Sequence, residues 1–183
     1  NCSMCYIRLS REEMEQRGRL RTADEWLQLA EQMRDAGVLF LLLTGGEPLL
    51  FPNFRRLFRT LKEMGMILTI NTNGTLLDED WARFFGGCKP RRVNITLYGA
   101  NEDAYASLCH YPGGFAKTLR AIRLLKEQGV DVKISASVTR DNLRDLDELY
   151  RIGRELDAPV TPDTYMLPGL HERGLPFAQQ ARL

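Results

Sequence analysis

The sequence predicts an α/β fold whose parallel strands form a partial barrel of the (β/α)6 type. Five apolar segments begin near Val38, Met66, Val93, Val132 and Val160, and helical patterns that end in glycine lie between them. This alternation is typical of repeated crossover units, which need roughly 30 residues each and place successive strands parallel. A third observation, polar residues at every second position of three strands, indicates that one face of the sheet lines a wet concavity.

The helices have recognisable beginnings. Thr22 and Glu25 form a capping box for a first helix that runs to about Ala36. Asn53 is expected to cap a second helix, and Asp78 a shorter third one. The remaining two are a helix with Phe115, Leu119, Ile122 and Leu125 that ends at Gly129, and a helix over about 142–156. Trp26 and Trp81 lie on the apolar faces of their helices, where we expect them to anchor the core.

The polar stripe gives the strands two different faces. Its members are Thr69, Asn71 and Asn73, then Asn94, Thr96 and Tyr98, then Lys133, Ser135, Ser137 and Thr139. The intervening apolar side chains are expected to face the helices, so the polar ones point into a shared lumen. An antiparallel sheet with one solvated face is the alternative, although long helices between successive strands do not suit hairpins.

Composition limits the possible partners and compartments. The net charge is +1 and the pI is about 7.8, so no basic field indicates binding to nucleic acid or an anionic membrane surface. No apolar run approaches the roughly 20 residues of a membrane helix, and the first residues do not resemble a signal segment, so a cytoplasmic location is expected. Cys2 and Cys5 form a close pair, while Cys88 and Cys109 stand alone, a pattern unlike a disulfide framework.

Two short motifs carry the chemical information. In "TGGEP", at a predicted strand end, two glycines allow close backbone approach to a ligand, and the carboxylate of Glu47 suits a cationic amine. A tight turn with a solvated glutamate is the alternative. The C-x-x-C pair is compatible with a redox dithiol, half a zinc site or an iron–sulfur loop. The charged residues that follow it do not suit a redox helix, and Cys88 and Cys109 do not make a second zinc pair.

Taken together, "CSMCY", "TGGEPLL", "TNGTLL", "ITLYGA" and "PGGFAKTLRAIRLLKEQGVDVKISASVTRDNL" resemble the radical S-adenosylmethionine (SAM) superfamily. The resemblance is greatest to its peptide- and protein-modifying maturases, which often carry a C-terminal SPASM extension. It runs from Cys2 to about Pro168, so residues 1–168 are expected to form the radical SAM core and residues 169–183 an exit segment towards such an extension.

The resemblance implies a [4Fe–4S] cluster bound by C-x-x-x-C-x-x-C, in which Cys2 and Cys5 match the second and third cysteines. The first would lie four positions before Cys2, outside this chain, together with the first barrel strand. A chain with two of the three thiolates is expected to hold the cluster poorly. With an electron from an external donor, family members cleave SAM to a 5′-deoxyadenosyl radical, which abstracts hydrogen from the substrate, here expected to be a peptide or protein side chain.

The same resemblance assigns cofactor contacts to individual positions. Gly45, Gly46 and Glu47 match the motif that receives the methionyl amine, and Thr96 matches the residue that binds the ribose. Met4 stands where the family usually has an aromatic residue against the adenine, so a backbone contact is expected there. Asn73 is a further lumen-facing candidate near the cofactor. No catalytic side chain beyond these is assigned.

The chain departs from the family pattern in two places. Tyr98 replaces an acidic residue in "TLYG", and Cys109 and His110 stand where an arginine for the SAM carboxylate is common, so neither role is assigned here. The alternative function is a zinc-binding or thiol-redox α/β protein without SAM chemistry. Outside these motifs, Cys88 is expected to be a small half-buried residue, and His110 and His171 solvated or capping residues.

Overall fold

The computed structural model describes residues 2, 3, 5 and 11–164. The strands in this part of the chain are β1 (Phe40–Leu43), β2 (Ile67–Thr72), β3 (Arg92–Thr96), β4 (Val132–Ser137) and β5 (Val160–Asp163). The helices are α1 (Arg11–Gln16), α2 (Ala23–Asp35), α3 (Phe54–Glu63), α4 (Glu79–Gly87), α5 (Glu102–Cys109), α6 (Gly114–Glu127) and α7 (Leu146–Glu155). Short 3₁₀ turns occupy Pro48–Leu50 and Leu143–Asp145.

The five strands form one parallel sheet in the order of the chain, β1-β2-β3-β4-β5. This confirms the predicted α/β class, and the antiparallel alternative is wrong. On its outer side β1 pairs with no described strand, and its Phe40 side chain is 69% exposed.

The two faces of the sheet differ as the polar stripe predicts. Leu68, Ile70, Ile95 and Ile134 are completely buried and pack with the helices in one hydrophobic core. The residues that alternate with them are only half-buried and form what we call the lumen face: Thr69, Asn71, Asn94, Thr96, Lys133, Ser135 and Ser137. The helices therefore cover one face and leave the other to polar side chains.

Two of the predicted helix caps are present. Both halves of the capping box between Thr22 and Glu25 form at the start of α2, and the side chain of Asp78 accepts a hydrogen bond from Trp81 N at the start of α4. Asn53 precedes α3 as expected, but its predicted side-chain cap is wrong. Its φ of +61° is left-handed, and its side chain makes no cap hydrogen bond. A capping residue needs an extended backbone to reach the first amides.

Other differences concern helices and tryptophans. The sequence interpretation missed α5, whose buried Tyr105, Leu108 and Cys109 follow an Asn101 cap. The charged segment before α2 contains the short helix α1. The prediction for Trp26 is wrong, since it is 38% exposed, whereas Trp81 packs against Phe85 with ring centroids 5.7 Å apart. None of the described helices is long and apolar enough to cross a membrane.

The packing of α7 on β5 can be tested by substituting two glycines that lie in helices. A Cβ on Gly153 would lie 2.4 Å from Val160 Cγ2 and 2.8 Å from the carbonyl oxygen of Ala158. Gly153→Ala should therefore lower the free energy of unfolding by about 1–3 kcal/mol, because backbone must move. Gly87→Ala, where a Cβ meets nothing within 4 Å, is the control and should be neutral or stabilise by up to ~1 kcal/mol. Equal urea-unfolding midpoints for the two variants would contradict this packing.

Candidate functional site at the carboxyl ends of the strands

The loop after β1 exposes backbone at the carboxyl edge of the sheet. Gly45 has a φ of +145°, which side chains of L-residues rarely allow, so glycine is required there. A Cβ at Gly45 or Gly46 would meet no atom within 4 Å. Open space therefore borders both residues on the side where a side chain would lie.

Glu47 joins the ends of β1 and β2. Its Oε1 accepts hydrogen bonds from Leu49 N at 3.1 Å and Thr72 Oγ1 at 2.8 Å, and its Oε2 accepts one from Asn73 N at 2.9 Å. Each carboxylate oxygen can accept two hydrogen bonds. Oε1 therefore has both of its positions occupied, and Oε2 can accept one further hydrogen bond. The carboxylate holds the Gly45–Gly46 loop against β2, a role that the sequence did not indicate.

Asn73 lies at the beginning of the loop after β2 and stabilises that loop. Its Oδ1 accepts hydrogen bonds from Thr75 N at 2.8 Å and Thr75 Oγ1 at 2.6 Å. Its carbonyl oxygen accepts one from Thr118 Oγ1 of α6 at 3.2 Å. The side-chain oxygen of Asn73 is therefore used within the turn, which leaves its Nδ2 as the group with which it could contact a cofactor.

Thr96 presents a hydroxyl group on the lumen face. It is the last residue of β3, half-buried and paired in register with Ser135 of β4. Its hydroxyl makes no hydrogen bond to a described residue, whereas its carbonyl oxygen accepts one from Tyr105 Oη at 3.3 Å. A ligand in the lumen could therefore use the hydroxyl without displacing a protein partner.

The cysteine-containing segment lies on the carboxyl end of α5. Ser3 N donates to the carbonyl oxygen of Leu108 at 2.9 Å, and Ser3 Oγ is 3.0 Å from Nε2 of His110, the residue that ends this helix. Cys5 N donates to Cys2 O at 3.2 Å, so the two cysteines share one turn. Met4 lies outside the described residues, and so does His171. The described residues contain no group of three or more His, Cys, Asp or Glu side chains that could bind a metal ion.

Cys2 has two neighbours that the sequence could not indicate. A hydrogen bond from the buried Cys109 thiol is the main cause that lowers the pKa of Cys2, and the Tyr98 hydroxyl contributes further, against the opposing effect of burial. The same bond raises the pKa of Cys109, and burial raises that of Tyr98. The thiolate form is therefore favoured at Cys2, the form that binds iron. Cys88, by contrast, is half-buried as expected.

Asn142 connects the loops after β3 and β4. The residue is buried, and its Nδ2 donates to the carbonyl oxygens of Tyr98 at 2.8 Å and Ser137 at 2.9 Å. Its Oδ1 accepts from Thr139 N at 2.6 Å. Sequence reasoning read Asn142 only as the beginning of a helix. An asparagine just beyond a strand end was the signal that could have identified it.

An apolar cavity of about 600 Å³ lies between α2, α3 and β1. Trp26, Met33 and Leu41 line it, and the Gly45–Glu47 loop contributes to its wall. Most of its lining is apolar and belongs to the helix-facing side, so the cavity is distinct from the polar lumen.

Glu47, Asn73 and Thr96 lie at the carboxyl ends of β1, β2 and β3, which form the same edge of the sheet. Glu47 contacts Asn73 directly. Thr96 ends the next strand, β3, and Tyr98, whose hydroxyl group is near Cys2, follows two residues later. The described residues show no hydrogen bond from Thr96 to Glu47 or Asn73. The site therefore consists of a loop held by Glu47, a free hydroxyl group and a cysteine turn.

The sequence comparisons agree with the motifs. The family described as Radical SAM superfamily matches residues 1–152. The AdoMet-dependent heme synthase of Methanosarcina barkeri is 26% identical over 147 residues, which are 80% of this chain and 42% of that protein. The antilisterial bacteriocin subtilosin biosynthesis protein AlbA of Bacillus subtilis is 27% identical over 158 residues, 86% of this chain and 34% of AlbA. The chain thus spans less than half the length of these relatives.

Solved structures with the same fold include two with bound S-adenosylmethionine. Streptococcus suis SuiB bound to S-adenosylmethionine has a TM-score of 0.72 at 20% identity, over 88% of this chain and 37% of SuiB. The anSMEcpe structure with bound AdoMet has a TM-score of 0.69 at 24% identity, over 88% of this chain and 46% of that one. At these identities the likeness shows the partial barrel fold alone. Since the family match covers most of the chain, including both cysteines and the glycine-rich loop, the chain belongs to the radical SAM superfamily.

Proposed function

We propose that the chain is the core of a radical SAM enzyme that acts on a peptide or protein side chain. What supports the proposal is the arrangement of three groups: exposed glycine backbone follows β1, the free Thr96 hydroxyl ends β3, and the cysteine turn lies near Tyr98, just after β3. The two thiols on one turn, with the thiolate favoured at Cys2, fit the soft ligand set of an iron–sulfur cluster. We expect the third thiolate to come from outside this chain, as part of C-x-x-x-C-x-x-C.

The [4Fe–4S] cluster and SAM, when bound, would supply the radical chemistry. With an electron from an external one-electron donor, they would provide a 5′-deoxyadenosyl radical that abstracts hydrogen from the substrate. The residues of this chain bind and orient these groups. The backbone at Gly45 and Gly46 and the remaining capacity of Glu47 receive the methionyl amine, and the Thr96 hydroxyl binds the ribose. Met4 contacts the adenine through its backbone, and Asn73 Nδ2 adds a donor nearby.

Relatives support a peptide as the substrate class. The names AlbA, for subtilosin biosynthesis, and PqqA peptide cyclase both denote peptide modification, and SuiB has been solved with its precursor peptide SuiA. Other relatives are named heme synthase and GTP 3′,8-cyclase, so the family shares its cofactor chemistry rather than one substrate. Membership of this superfamily disfavours the alternative of a zinc or thiol-redox protein without SAM.

The cluster assignment is tested by iron and sulfide analysis of the intact protein after anaerobic reconstitution. Cys5→Ala should lose most of the cluster and its broad visible absorbance, because a thiolate ligand is gone. Cys88→Ala, with the thiol lying in the loop before β3, is the control and should keep it. Reconstituted wild type should release 5′-deoxyadenosine from SAM when reduced. A colourless wild type with stoichiometric zinc, or full iron content in Cys5→Ala, would refute the assignment.

Glu47→Gln should weaken SAM binding and also destabilise the domain, while iron content stays at the wild-type level. Three donors converge on the carboxylate, so an amide nitrogen would face a donor and cost about 1–3 kcal/mol of unfolding free energy. Calorimetric titration with SAM and urea unfolding measure the two effects. Wild-type values in both would remove Glu47 from the site.

Thr96→Val should weaken SAM binding by about 1 kcal/mol through the loss of one neutral hydrogen bond, with little change in stability. The reason is that its hydroxyl bonds to no described residue. Thr60→Val, the same substitution at a half-buried position of α3, is the control and should bind SAM like the wild type. Unchanged SAM affinity in Thr96→Val would dismiss the ribose contact.

A further inference from the structure

Three side chains form a row across the lumen face, one level deeper than Thr96. Asn71 of β2 pairs in register with Asn94 of β3, and Asn94 pairs with Lys133 of β4. The next level towards the carboxyl edge holds Thr96 and Ser135. Residues two apart on a strand share a face and lie about 7 Å apart. The row therefore lies about 7 Å from the proposed ribose contact, on its side away from the strand ends.

The hydrogen bonding of this row is incomplete. Asn94 Nδ2 donates to Asn71 Oδ1 at 2.7 Å, but Asn94 Oδ1 is buried without a hydrogen-bond partner among the described residues. Lys133 is half-buried, and its ammonium group makes no ion pair or hydrogen bond to a described residue. Buried polar groups normally have partners, so the Asn94 oxygen is an open acceptor within this row.

The neighbouring charges do not neutralise Lys133. One level deeper, Arg92 Nε donates to Asp131 at 2.8 Å, so these two charges compensate each other. Arg91 also contacts Asp131, at 3.2 Å, from the exposed side. This leaves one positive charge in the row, next to two amides.

We propose that Lys133, together with the amides of Asn71 and Asn94, binds a carboxylate group of the substrate. This inference rests on the proposed function, because it takes the lumen as the place where the substrate lies. An ammonium has three donors, so Lys133 can satisfy Asn94 Oδ1 and still donate to a carboxylate, to which Asn71 Nδ2 can also donate. One cation matches the single charge of a carboxylate, whereas a dianionic phosphate would retain uncompensated charge.

The test is calorimetric titration of the intact, SAM-saturated protein at low salt with short peptides that differ in one group. One pair, Ac-Ala-Glu-Ala-NH₂ and Ac-Ala-Gln-Ala-NH₂, probes a side-chain carboxylate, and the pair Ac-Ala-Ala-OH and Ac-Ala-Ala-NH₂ probes a peptide carboxyl terminus. We expect at least one acid to bind about tenfold or more tightly than its amide, as a charge-assisted hydrogen bond implies. The pair that shows the preference identifies the source of the carboxylate.

Variants then assign the preference to the row. Lys133→Met, which keeps the length of the side chain, should abolish the preference, and Lys133→Arg should retain most of it. Lys62→Met removes another half-buried lysine, on α3, and should leave the preference intact. If wild type shows no preference for either acid, or if the preference survives in Lys133→Met, the proposal is wrong. The wild-type comparison decides even if Lys133→Met does not fold.

SAM affinity, measured separately in each variant, keeps this inference apart from the proposed function. It should be the same in wild type and Lys133→Met. A parallel loss of SAM binding in Lys133→Met would place the lysine in the cofactor site and overturn the substrate role. A wild type that does not bind SAM would instead refute the proposed function.

Discussion

The structure depends on the burial of one face of a parallel sheet beneath a layer of helices. Leu68, Ile70, Ile95 and Ile134 must all point towards those helices to leave water, and side chains alternate along a strand, so a slip of one residue would bury the polar set instead. The hydrophobic effect thereby determines the register of the strands. The lumen face is a consequence of this register, because every residue between two core residues has to point the other way.

Polar contacts between loops then organise the carboxyl edge. Glu47 holds the loop after β1 against β2 through Thr72 Oγ1 and Asn73 N, and Asn142 joins the loops after β3 and β4 through the carbonyl oxygens of Tyr98 and Ser137. Such bonds are strong because both groups are partly or fully removed from water, where unpaired donors or acceptors would be costly. Each clamp crosses from one strand end to another, so the binding groups are held before any ligand arrives.

Sequence patterns predicted much of the fold because they record local requirements. The period-two stripes identified the lumen face, and the capping box at Thr22 and Glu25 located the first residues of α2. Local patterns did not predict every element or contact. Trp26 lies on a helical apolar stripe yet borders a cavity, and the left-handed backbone of Asn53 prevents the cap that its side chain could make. The short helix α5 was missed, although its buried residues have helical spacing.

The sequence by itself determined the order of the elements, the two faces of the sheet and the motifs of the radical SAM superfamily, because all of these are written in spacings of a few residues. Only the tertiary structure decided that Cys109 hydrogen-bonds to Cys2, that Glu47 is occupied by Thr72 and Asn73, and that Lys133 lies beside Asn94. These pairs are separated by some 25 to more than 100 positions in the chain. The physical reason is that side chains so distant meet only when strand pairing and helix packing bring them together.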